Sequence, residues 1–208
     1  YGYGLSYADK GNLAALPEAS GVNPLSLELG VYFARGVATE GMALALLEAS
    51  DAVTVSTVPA QSRSGKLQLS AVDHQRQEDA RRLVWNDDAV MALRNDKPLS
   101  LMRAVMSDGQ IVATVRIESV PDSGASLVFA CGEGCAGEIP VGNWLASLPK
   151  NQWTRIAVPV RCLVAARVNP ANMTSVFVLR GGKGLALSLS QVDSGDAFDH
   201  RYACAMPQ

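Results

Sequence analysis

The sequence has little net charge and almost no histidine. Eighteen Lys and Arg against 20 Asp and Glu leave −2 over 208 residues, with two His. That balance provides no concentrated basic face, so nucleic acid and anionic membrane surfaces are not expected partners. No stretch approaches the roughly 18 consecutive apolar residues of a membrane-spanning helix. Motifs that carry chemistry locally are missing too: there is no HExxH pair, Cys-x-x-Cys spacing or G-x-S-x-G elbow. An initiator Met and a leader-like basic and apolar start are also lacking, so the chain is expected to be a piece of a longer protein. Charged residues make up 18%, below the roughly 25% of an average domain, while apolar content is ordinary at 48%. Disorder is therefore not expected. The length suits one large domain or two small ones, with a core that needs no metal or disulfide to form.

What the sequence does have is alternation. Ile111, Ala113, Val115 and Ile117 fall on one side of an extended chain, and Val112, Thr114, Arg116 and Glu118 on the other. Leu27, Leu29, Val31 and Phe33 alternate likewise, as do Leu67, Leu69 and Ala71, then Ile156, Val158 and Val160, then Leu185, Leu187 and Leu189. Period two is the mark of half-buried strands with one wet face. Turn chemistry separates these runs at Ser64-Gly65, Ser107-Asp-Gly109, Pro121-Asp-Ser-Gly124 and Gly181-Gly-Lys-Gly184, the last read as a hairpin turn. Many short strands with frequent turns predict an all-β, antiparallel β-sandwich rather than βαβ units. Met42 to Ala49 has helix-forming composition but is read as strand, and one helical turn each is expected within 143–148 and 169–175.

The candidate functional residues fall into four kinds: cysteines, C-terminal carboxylates, tryptophans and one polar run. Cys131-Gly-Glu-Gly-Cys135 has glycines that allow the two Cα atoms to approach, so a small disulfide or two reduced thiols is preferred over half a zinc site. The pairing of Cys162 and Cys204 stays open, because spacing does not decide it. Asp193, Asp196, Asp199 and His200 crowd together near the C-terminus. Asp193 and Asp196 are candidates for a structural calcium, although a solvated turn is the preferred reading because the spacing fits no EF-hand; no other cofactor is expected. Trp85 and Trp144 are the candidates for stacking on a sugar ring, while Trp153, which opens an alternating strand, reads as core. Residues 73–82 form the longest polar run. They are either a solvated loop or a projecting loop whose Gln75, Gln77 and Glu78 meet hydroxyl-rich ligands.

The opening Tyr1-Gly-Tyr-Gly-Leu-Ser-Tyr7 resembles the FGYGLSY segment that closes the second, α/β domain of family 3 glycoside hydrolases. Gln77-Glu-Asp-Ala-Arg-Arg-Leu-Val-Trp85, Cys131-Gly-Glu-Gly-Cys-Ala-Gly137, Trp153-Thr-Arg-Ile-Ala-Val-Pro-Val-Arg-Cys162 and Gly184-Leu-Ala-Leu-Ser-Leu-Ser-Gln-Val192 follow in order. Together they resemble the additional C-terminal domain of exo-acting family 3 β-glucosidases and exo-glucanases, the ExoP type. Arg161-Cys162 is followed by Leu163-Val-Ala-Ala166, where that family usually has Phe and Gly. The resemblance implies a galactose-binding-like jelly roll over 27–208, preceded by the end of an α/β domain (1–7) and a linker or irregular lead-in (8–26). It also implies a bacterial periplasmic or secreted parent enzyme whose catalytic residues lie outside this chain. The expected partners are the catalytic domains of the same polypeptide and β-glucan or gluco-oligosaccharide. The expected role is docking on those domains and shaping their substrate site through the polar loop. The alternatives are an autonomous carbohydrate-binding module and a structural or dimerisation module.

Overall fold

A computed structural model describes residues 30–204. The strands run β1 (Val31–Ala34), β2 (Val37–Ala38), β3 (Met42–Glu48), β4 (Asp51–Thr54), β5 (Ala60–Gln61), β6 (Leu67–Val72), β7 (Ala80–Trp85) and β8 (Ala89–Leu99). They continue as β9 (Gln110–Ser119), β10 (Ala125–Ala130), β11 (Ala136–Pro140), β12 (Trp153–Pro159), β13 (Met173–Gly181), β14 (Ala186–Asp193) and β15 (His200–Arg201). Three short helices interrupt them: α1 (Met102–Met106), α2 (Gly142–Ser147) and α3 (Arg161–Ala165).

Two sheets face each other. One has nine strands in the order β15-β12-β9-β14-β7-β6-β5, with β1 and β2 attached through β14. The other has six, β11-β10-β13-β8-β3-β4. Every pair is antiparallel except the two-residue β12–β15 ladder. This is the expected all-β, antiparallel β-sandwich. The alternation in the sequence sets which side chains enter it. Leu83, Leu187 and Ile117 are register partners across β7, β14 and β9, and all are buried. Leu46, Met91, Leu179, Leu127 and Ile139 form the facing row across β3, β8, β13, β10 and β11. Each such buried side chain contributes roughly 1.5–3 kcal/mol. Met42–Glu48 is a strand despite its helix-forming composition, because Leu46 completes this row and Leu44 pairs with the buried Leu93 beside it.

Two local expectations need correction. Gly181-Gly-Lys-Gly184 is not a hairpin turn: it carries the chain from β13 in one sheet to β14 in the other. A Cβ at Gly181 would collide with Leu185 Cδ2, so the crossing needs glycine. The second concerns 169–175, which holds a turn rather than a helical turn. Asn169 Oδ1 accepts the Ala171 amide at 3.0 Å, and Asn172 Nδ2 donates to Cys131 O at 3.1 Å. These side chains compete with helix formation and fix the turn instead. The turn expected within 143–148 is α2, while α1 and α3 lie outside both expected positions. Residues 1–7, 8–26 and 27–29, together with the alternation at Leu27 and Leu29, lie outside the described residues.

Glu48 clamps the two sheets at one end. It accepts the hydroxyls of Ser62 and Ser64, the Ser64 amide at 3.1 Å and the Lys66 amide at 3.2 Å, all on the β5–β6 connection. The Ser62 and Ser64 hydroxyls lead, partial burial opposes, and the amides add, so its pKa falls from 4.5 to about 2. A depressed carboxylate pKa gives stability that is present above 4.5 and lost as pH falls towards 2. Glu48→Gln is therefore expected to be less stable at neutral pH and to lose less of its stability than the parent between pH 4.5 and 2. Urea unfolding at several pH values reads this directly; parallel profiles for the two proteins would exclude the clamp.

Candidate functional site

The nine-stranded sheet presents a polar outer face, built from the other half of the alternation. Arg82, Ser188, Arg116 and Trp153 are register partners across β7, β14, β9 and β12. Glu118 accepts Arg82 Nε at 3.0 Å and Arg82 Nη2 at 2.7 Å, a bidentate pair, and lies 3.5 Å from Arg116 Nη2. The Arg82 hydrogen bonds lead in holding Glu118 below the usual carboxylate range, against partial burial, and the Arg82 and Arg116 charges help. Arg116 lies 5.4 Å from the centroid of the Trp153 ring, within cation–π range. The His74 ring packs on the same indole, with centroids 4.2 Å apart at a tilt of 52°. Arg116 Nε and His74 Nδ1 are both buried without a hydrogen-bond partner.

His74 belongs to the loop between β6 and β7, and the loop's shape comes from two aspartates. Asp79, 8% exposed, accepts the amides of His74 at 2.6 Å, Gln75 at 3.1 Å and Arg76 at 2.9 Å. Burial raises its pKa, but the three amides and the neighbouring His74 outweigh that and hold it below the usual aspartate value. Asp73 accepts the Glu78 amide at 2.7 Å, and Arg81 Nη1 donates to the Glu78 carbonyl at 2.8 Å, holding Glu78 at φ +56°. Between this loop and β12 lies a cleft of about 460 Å³. Its far wall is Arg155, fixed by Asp193 at 3.1 Å, the Ala197 carbonyl at 2.7 Å and Thr114 at 3.4 Å. Arg35, on the β1–β2 turn, and Arg76 complete the lining and make no ion pair among the described residues.

The residues singled out from sequence are scattered relative to this cleft. Gln75 lines it, whereas Gln77 and Glu78 sit on the exposed outer side of the loop. Trp85 is 1% exposed, donates its indole N–H to Ala89 O at 2.9 Å, and offers no face to a ligand. Its parity on β7 points inward with Leu83, which rules it out as a stacking platform. Trp144 is half-buried and packed on the core; its ring meets Tyr202 edge-on, centroids 5.2 Å apart. Trp153, read as core, lies instead on the outer face at the cleft. The calcium candidates are also spent or isolated. Asp193 serves Arg155 and the Gln191 amide at 2.5 Å, Asp196 is exposed, and Asp199 accepts Thr154 Oγ1 at 3.1 Å and the Arg155 amide at 2.8 Å. Among the described residues no group of three or more His, Cys, Asp or Glu is arranged to hold a metal ion. Cys131 bridges Cys135, and Cys162 bridges Cys204.

Sequence reasoning missed Arg35, Arg155, Trp153 and the organising role of Asp79. Arg116 and Glu118 were visible on the wet side of the 111–118 alternation, whereas Arg35 reaches the cleft only because β1 pairs with β14.

The arrangement offers binding chemistry: a polar cleft, fixed guanidinium groups and an aromatic wall. Among the described residues no hydroxyl is hydrogen-bonded to either histidine ring, and all four cysteines are bridged. Residues 43–193 match a family model described as a galactose-binding domain-like domain, Exop_C. The extra C-terminal domain (X) of exo-1,3/1,4-β-glucanase (ExoP) from a Pseudoalteromonas species is a similar solved structure: TM-score 0.67, 22% identity, 84% of this chain and 98% of that one. The whole ExoP structure is also similar, with a TM-score of 0.70, 22% identity and 85% of this chain covered. The match spans 22% of that glucanase's length. No curated protein matches. With the family model covering most of a chain folded as this sandwich, the chain belongs to the galactose-binding domain-like family Exop_C.

Proposed function

We propose that the chain is a non-catalytic accessory domain of a β-glucan-hydrolysing family 3 enzyme. It docks on the catalytic domains of the same polypeptide and presents the 73–78 loop as one wall of their substrate site. The observation that carries this reading is the Asp79 network. A loop that only closes on its own sugar gains its order from the ligand, whereas this one is ordered by bonds to its own carboxylates. A preformed polar edge can position a substrate without an ordering cost at each turnover. The similarity to the ExoP domain supports the accessory placement, and the two disulfides fit a periplasmic or secreted setting. Burial of Trp85 and the packing of Trp144 weigh against autonomous binding by stacking on those rings.

The test is kinetic. In the intact parent enzyme, Gln75→Ala together with Gln77→Ala is expected to lower kcat/KM on gluco-oligosaccharides by about fivefold, the loss of roughly one hydrogen bond. Both side chains are exposed, so folding stays intact. Unchanged kcat and KM would exclude the loop from the substrate site.

A further inference from the structure

We propose that the cleft between the 73–79 loop and β12 is a receptor for the carboxylate of an acidic saccharide. This goes beyond the accessory role, since it concerns a ligand held by this chain itself in the cleft. The inference rests on which groups at the cleft are committed and which are not. Every carboxylate there is satisfied: Asp79 by three amides, Asp199 by Thr154 and a backbone amide, and Asp193 by Arg155 and Gln191. Arg155 is committed as well, to Asp193, Ala197 and Thr114.

What remains free is made mostly of donors. Among the described residues the exposed Arg35 and Arg76 have unpaired guanidinium groups, the Gln75 side chain has no partner, and His74 Nδ1 is buried without one. A surplus of donors, two of them permanently charged, calls for an acceptor-rich anion. Planar guanidinium groups match a planar carboxylate, and such charge-assisted bonds are about twice as strong as neutral ones. The committed carboxylates keep the cleft near neutrality, so recognition is short-ranged rather than a field effect.

The rest of the lining selects a sugar over a bare anion. Trp153 and His74 supply aromatic surface, while Thr114 and Ser190 supply hydroxyls that are held only at 3.4 Å, the first by Arg155 and the second to Asp79 O, and keep acceptor capacity for ring hydroxyls. The volume of about 460 Å³ lies in the range of small-molecule sites, roughly 300–1,000 Å³.

The experiment titrates the 208-residue chain with a glucuronate-bearing disaccharide, with cellobiose and with acetate, following the Trp153 indole and His74 ring resonances by NMR. The expected result is saturable shifts with the acidic disaccharide, at least about tenfold tighter than with cellobiose or acetate. In Arg35→Gln/Arg76→Gln, whose altered side chains are exposed, that affinity falls by about tenfold while the thermal melt is unchanged. Equal affinity for cellobiose would mean the cleft reads hydroxyls rather than charge. Equal affinity for acetate would make it a simple anion site, and unchanged binding by the double variant would place the ligand elsewhere. Each of these overturns the proposal. None of them bears on parent-enzyme kinetics, where the accessory role is tested.

Discussion

Replacing Cys162 and Cys204 together with alanine is expected to lower the unfolding temperature by about 10 °C. The bridge closes a segment of 42 residues, and constraining such a loop in the unfolded chain is worth about 4 kcal/mol. It also holds a sheet edge otherwise tied by short ladders and single bonds, among them Arg201 to Asp108 at 2.8 Å and to Gln110 at 3.1 Å. β15 pairs with β12 over two residues, and beyond it the Tyr202 amide reaches Ala157 O at 2.8 Å and the Tyr202 hydroxyl reaches Pro140 O at 3.0 Å. With the bridge gone, that edge frays, the Tyr202 ring loses its place against Trp144, and α2 loses its cover. The Cys131–Cys135 bridge, with a separation of 4, is expected to contribute about half as much, near 2 kcal/mol. Calorimetry on the two double-alanine variants separates the cases. Equal losses would mean that loop length is not what sets the contribution.

Much of this fold was legible because the physics that shapes it is local. Alternation at 111–118 and 185–189 assigned the core side of β9 and β14 without any knowledge of their partners. Those two strands then pair with each other, and one polar side joins Arg116 to the buried Ser188. What was not legible is pairing between distant segments. Gly181–Gly184 has the composition of a hairpin turn, and only the partners of β13 and β14 reveal that the chain changes sheets there. The tryptophans follow the same rule. Trp85 and Trp153 each stand at a strand end, and composition does not distinguish them. The register places Trp85 opposite Leu67 in the core and Trp153 opposite Arg116 on the outer face. The candidate site inherits this limit. The polar run at 73–82 overlaps the loop, although Ala80 to Arg82 open β7 instead, and Arg35 and Arg155 enter the cleft from segments about 40 and 80 residues away, through pairings that no spacing encodes.

Asp79→Ala is the change expected to act most strongly on the loop. It removes the acceptor of three consecutive amides, and hydrogen exchange at His74, Gln75 and Arg76 is expected to accelerate roughly ten- to a hundredfold. The Glu78 amide provides an internal control, because its acceptor is Asp73 and it should retain more of its protection. Protonation is a milder form of the same change. Since Asp79 is held below the usual aspartate value, its contribution is complete above that value and is lost as pH falls through the depressed one. Loop exchange, corrected for its intrinsic pH dependence, should therefore rise on acidification in the parent chain and stay flat in Asp79→Ala. In the intact enzyme the same variant should lower kcat/KM at least as far as the paired glutamine changes do, because it disorders the edge that carries both side chains. Faster exchange with unaltered kinetics would leave the network as a structural device alone. Unaltered exchange would mean that β6 and β7 hold the loop without it.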